Sequence, residues 1–219
     1  MMHDTLRYPI GRFVAPTQVS DDSRAHAIAQ LAALPSQLRA AVQGLEAAQL
    51  DTPYRDGGWT VRQVVYHVGD SHLNCLARLM LGLTEDRPVI RPYDESAWVQ
   101  VGHEAGEPIA DALEFVTVLH ARLVRVAKTI TAERGARLIV HPDDGPRSLD
   151  VLLALYAWHG ARPFAPSRLS PWQTSDRIAT DASFAVAGSR PHRDRREGAR
   201  CANTANPAGN SREFGSRAV

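Results

Sequence analysis

The apolar content of this 219-residue chain collapses at Gly160. Leu, Ile, Val and Phe account for 43 of the first 160 residues, about 27%, but for only 7 of the remaining 59, about 12%. The lower value belongs to segments that cannot bury enough apolar surface to offset the entropy of ordering. Pro163, Pro166, Pro171, Pro191 and Pro207 exclude a long helix there. The folding unit is therefore expected at 1–160, and 161–219 reads as an irregular tail, disordered or translated out of frame. Charge divides at the same point. The tail holds 10 Arg against 5 acidic residues, while the body holds 15 Lys and Arg against 19 Asp and Glu. A mildly acidic body gives no electrostatic reason to expect a nucleic-acid partner.

The body reads as all-α. Ile28, Leu31, Leu34, Leu38, Val42 and Leu45 recur at three- and four-residue steps, predicting a helix over 20–50 with Ser20 and Ser23 as capping oxygens. Pro35 should kink or split it. Asp56-Gly57-Gly58 is a turn, and Thr60 can cap a helix over 60–84 carrying Val61, Val64, Val65, Val68, Leu76, Leu79 and Leu83. Pro88, Pro92, Gly102 and Gly106 mark 85–106 as a long connection. A helix over 108–131 follows, and Ser148, after the turn at 141–146, caps a last helix over 149–160. No segment alternates convincingly as strand. Four helices with one long crossover make a four-helix bundle. Its fourth helix is truncated, roughly 20 Å long against roughly 35 Å for its longest partner.

No apolar run approaches the ~18 residues of a membrane span. No secretory leader pattern is present at the N-terminus, and Cys75 and Cys201 lie too far apart for a metal or redox motif. A soluble, cytoplasmic protein is the expectation. Gly57-Gly58 lacks the lysine of a phosphate-binding loop.

Two of the nine histidines fall on apolar helical stripes, His67 three residues after Val64 and His159 four after Leu155. They are either core histidines bonded to carbonyls or two ligands aimed inward at one metal ion, as bundles build such sites. A catalytic site needs a third protein ligand, and the place one turn after His159 holds Pro163.

The motifs then become specific. Tyr8-Pro9-Ile10-Gly11-Arg12-Phe13, Tyr54-Arg55-Asp56-Gly57-Gly58-Trp59-Thr60-Val61-Arg62-Gln63-Val64-Val65-Tyr66-His67, Asp70-Ser71-His72, Ile90-Arg91-Pro92-Tyr93-Asp94-Glu95, Leu119-His120-Ala121-Arg122 and Tyr156-Ala157-Trp158-His159-Gly160 closely resemble the YfiT-type metal-dependent hydrolases of the DinB superfamily. The resemblance covers 8–160. It implies a DinB-like bundle, a cytoplasmic homodimer, a small-molecule substrate, and one zinc or nickel ion per chain held by three histidines, two of which match His67 and His159. Three neutral imidazoles with an open position would acidify a bound water for hydrolysis. They could instead bind a thiolate, giving a bacillithiol-like S-transferase. The third ligand of the family falls at Pro163, which cannot ligate. The abrupt loss of pattern there suggests a reading-frame change near codon 161 and a catalytically inactive bundle as a further alternative.

The remaining candidates carry weaker signals. Asp70 could orient a ligand imidazole through its carboxylate, or be a solvated helix residue. His72 points to a different face from His67. His120 reads as rim or packing, and as a replacement ligand beside His72 if metal is bound. Cys75 reads as a small buried thiol, and Trp59 and Trp158 as core anchors.

Overall fold

A computed structural model describes residues 11–53, 57–102 and 107–161. Pro163 and the tail lie outside these residues. The helices are α1 (Asp21–Val42), α2 (Ala47–Leu50), α3 (Val61–Thr84), α4 (Glu95–Gly102), α5 (Ile109–Ala127), α6 (Ala132–Gly135) and α7 (Leu149–Ala161). A hairpin of β1 (Leu138–His141) and β2 (Gly145–Ser148) precedes α7.

Local chemistry sets the boundaries. Ser20 and Ser23 form a reciprocal capping box at the start of α1, and Thr60 with Gln63 does the same for α3. Ser148 Oγ accepts the Val151 amide at the start of α7. The first helix is shorter than its periodicity predicts: Gly44, at φ +78°, turns the chain into the left-handed region and separates α1 from α2. Pro35 neither splits α1 nor ends it, because α1 runs on through it. What the proline does is remove one amide.

Packing pairs α1 with α5, α5 with α3, α3 with α7 and α7 with α1, closing a four-membered ring of helices. Two apolar clusters fill it. One gathers Leu31, Cys75, Leu79, Leu123, Ile139, Leu149, Leu152, Leu153 and Tyr156, and the other Leu34, Leu38, Val61, Val65, Val68, Leu113 and Val116. The order in which each helix visits the clusters fixes its direction. α1 and α7 run one way and α3 and α5 the other, so the α3–α5 connection must cross the length of the bundle, as expected for the long crossover. The second cluster takes nothing from α7, which spans 13 residues against 24 for α3.

The expectation of no strand is corrected by the hairpin. Leu138-Ile139-Val140-His141 is too short to show alternation, yet the turn at 141–146 brings it onto 145–148, with Leu138 opposite Ser148 and His141 opposite Gly145. Backbone bonds from Ile90 N–H to the Val140 carbonyl and from Val140 N–H to the Pro88 carbonyl, both 2.9 Å, tie the crossover to this hairpin. The crossover also carries α4, which the prolines of that segment obscure.

A buried ion pair locks α7 to α1. Arg24 Nε and Nη2 donate to Asp150 Oδ1 and Oδ2 at 2.6 and 2.9 Å, in the two-pronged geometry of guanidinium on carboxylate. Removing one partner strands the other charge. Asp150→Ala is expected to lower the unfolding free energy in urea by about 3–5 kcal/mol, while Arg24→Met combined with Asp150→Leu recovers most of the loss. Equal stability of the two variants would contradict this role.

Candidate functional site

Four buried imidazoles gather near the junction of the two apolar clusters and form a layer of rings in contact. His67 and His72 come from α3, His120 from α5 and His159 from α7, each at most 3% exposed. His72 and His120, on which the sequence placed little weight, belong to this layer. His67 and His72 are five residues apart and point in different directions, but the ring of His159 meets both. It lies edge-on to His67 with centroids 5.4 Å apart and stacks on His72 at 5.3 Å. His72 Nε2 and His159 Nδ1 are 3.2 Å apart, within hydrogen-bond reach. His72 in turn stacks on His120 at 4.8 Å and meets Tyr156 edge-on at 5.2 Å. Trp59 packs on His67 with centroids 4.7 Å apart, so this tryptophan walls the histidine layer.

The anchor of the layer originates in α1. In a helix the Leu31 carbonyl would accept the amide of residue 35, but Pro35 has none. His120 Nδ1 takes the place of that donor, 2.7 Å from the Leu31 oxygen. A carbonyl only accepts, so Nδ1 carries the hydrogen, and in the neutral ring Nε2 is left with a lone pair. That Nε2 has no hydrogen-bond partner among the described residues, and neither has His72 Nδ1. For His72 and His159 the hydrogen sits between the two rings in one of two ways. If His159 Nδ1–H donates, His159 Nε2 keeps a lone pair for an ion; if His72 Nε2–H donates, it does not.

Burial keeps His72 and His120 neutral. It pushes the His72 imidazolium well below the usual histidine range, reinforced by the neighbouring His120 and His67. Burial also lowers His120, opposed in part by the Leu31 carbonyl. Neutral imidazoles are the form a metal binds.

Does the layer fit a metal ion? His67 and His159 are spaced as two imidazoles on one tetrahedral ion would be, roughly 5 Å between ring centres. Among the described residues, however, no three His, Cys, Asp or Glu side chains are grouped to hold an ion. These residues do not make up a three-imidazole centre. Asp70, half-buried on α3, has its carbonyl bonded by the Asn74 amide at 3.0 Å. Cys75 is fully buried, and burial pushes its thiol up, so it is a packing residue rather than a thiolate ligand. Trp158 packs against Phe13 with centroids 5.6 Å apart.

The model of the DinB superfamily matches residues 30–162. The chain belongs to the DinB superfamily. A relative from Geobacillus thermodenitrificans named "Putative metal-dependent hydrolase" is 44% identical over 159 residues, 72% of this chain and 89% of the relative. One of the same designation from Bacillus cereus is 41% identical over 155 residues, 71% and 89%. Among solved structures, YfiT from Bacillus subtilis, described as a probable metal-dependent hydrolase with an unusual four-helix bundle topology, matches with a TM-score of 0.69 and 41% identity. That match covers 71% of this chain and 90% of YfiT. In this DinB chain the neighbouring pairs α1–α7 and α3–α5 run parallel.

Pro35 and His120 act on one oxygen, which a double-mutant cycle can read. His120→Phe leaves the Leu31 carbonyl unsatisfied and is expected to cost about 1–3 kcal/mol. In a Pro35→Ala background, where residue 35 supplies the amide, the same change is expected to cost at least about 1 kcal/mol less. Strict additivity in urea denaturation would remove the proposed link.

Proposed function

We propose that this chain is a metal-dependent hydrolase of the DinB type whose metal centre is reduced to two imidazoles, His67 and His159. The observation that carries this reading is their convergence: two buried rings from different helices, 5.4 Å apart, at the end of α7. The family relationship supports metal dependence, and Asp70, one turn beyond His67, is the carboxylate we assign to orienting the site. Zinc or nickel suits imidazole donors, and a small molecule is the substrate class.

The same reading accounts for impairment. Pro163 stands one helical turn after His159, where the resemblance calls for the third ligand, and it offers no donor. His72 already occupies Nδ1 of His159. Two imidazoles hold a divalent ion far more weakly than three, so we assign this chain low metal affinity and low hydrolytic activity. A cytoplasmic homodimer, as the resemblance implies, completes the proposal. Thiol transfer shares the two imidazoles, and thiol-dependent product formation distinguishes it from hydrolysis.

Elemental analysis of protein purified without chelator tests the ligand assignment. The expected zinc plus nickel content is well below one per chain, falling further in His67→Ala and His159→Ala. One tightly held ion per chain that survives both substitutions would overturn it.

A further inference from the structure

On the outer side of the bundle, away from the His67–His159 contact, α1 and α5 part to leave a groove of about 560 Å³. That volume is in the range of small-molecule sites. Its walls are small or apolar, with Ala32, Pro35, Ala40 and Val124 among them. Small side chains on both helices leave this space open.

Two polar groups stand out. The first is His120, which lines the groove although it is only 1% exposed. Its Nδ1–H is committed to Leu31, so Nε2 is a buried acceptor with no donor among the described residues. An acceptor left so is destabilising, and a ligand donor would relieve it. The second is Arg39, also lining the groove, exposed and without an ion pair among the described residues. Of the other polar side chains, Ser36 donates to the Ala33 carbonyl and Thr117 to the Leu113 carbonyl, and Gln43 stands exposed at the rim.

We propose that this groove is a binding site for a small hydroxylated carboxylic acid. Its apolar body lies on the alanine, proline and valine walls, its hydroxyl donates to His120 Nε2, and its carboxylate pairs with the Arg39 guanidinium. The site does not require a metal, so it stands or falls apart from the hydrolase reading. An occupant would touch the ring that stacks on His72, placing it at the opposite end of the histidine layer from His67.

The test titrates 4-hydroxybenzoate into the full chain, with benzoate and 4-methylphenol as single-group controls, by calorimetry and by ¹⁵N shifts of the histidine rings. Saturable binding of 4-hydroxybenzoate is expected. Arg39→Gln, at an exposed position, is expected to weaken it at least about tenfold, and His120→Phe likewise, each figure matching one lost charge-assisted or buried hydrogen bond. Benzoate should respond to Arg39→Gln and not to His120→Phe, and the His120 Nε2 resonance should move on binding. No saturation by about 5 mM, or affinity unchanged in Arg39→Gln, would overturn the proposal. A groove occupied by a second copy of the chain, seen as a dimer that the acid cannot compete with, would overturn it as well. Should His120→Phe fail to fold, Arg39→Gln and the ring shift decide the matter.

Discussion

A carbonyl that its own helix cannot satisfy organises the centre of this bundle. Pro35 deprives the Leu31 oxygen of its amide donor, and an unpaired carbonyl in the interior is destabilising. His120 reaches from α5 to supply the missing hydrogen. Once that ring is fixed, His72 stacks on it and His159 meets His72, so three further helices are brought into register around an interruption in the first. A cluster of imidazoles in an apolar interior is tolerable because neutral rings stack and share hydrogens; the charged forms would repel one another without water to screen them.

Among the described residues, α7 packs on only one of the two apolar clusters. It joins the cluster of Leu149, Leu152, Leu153 and Tyr156, and its C-terminal part delivers His159. The DinB relatives are named for metal dependence, and of the two imidazoles proposed here as ligands, His159 shares its Nδ1 with His72.

Much of this was legible in the residues. Periodicity with the serine and threonine caps gave the four main helices and the crossover, and the stripe positions of His67 and His159 placed both rings inward. The hairpin was hidden because four-residue strands carry too little alternation, and α4 because Pro88 and Pro92 dominate its segment. His72 was misjudged for a physical reason: helical spacing compares faces within one helix, whereas this ring is placed by partners on α5 and α7. His120 did have a signal. A proline four residues after a buried leucine announces an orphaned carbonyl, and an orphaned carbonyl in a core requires a donor from elsewhere.

The most direct measurement is histidine-ring NMR on the metal-free protein, following the ring nitrogens with pH. The account predicts that His72 and His120 stay neutral well below the ordinary histidine midpoint of about 6.5, that His120 holds its hydrogen on Nδ1, and that ring-to-ring contacts link His159 to both His67 and His72. Because the unfolded chain would bind those protons first, stability should fall as pH drops below about 6.5. Four independent rings titrating near 6.5 without mutual contacts would contradict it.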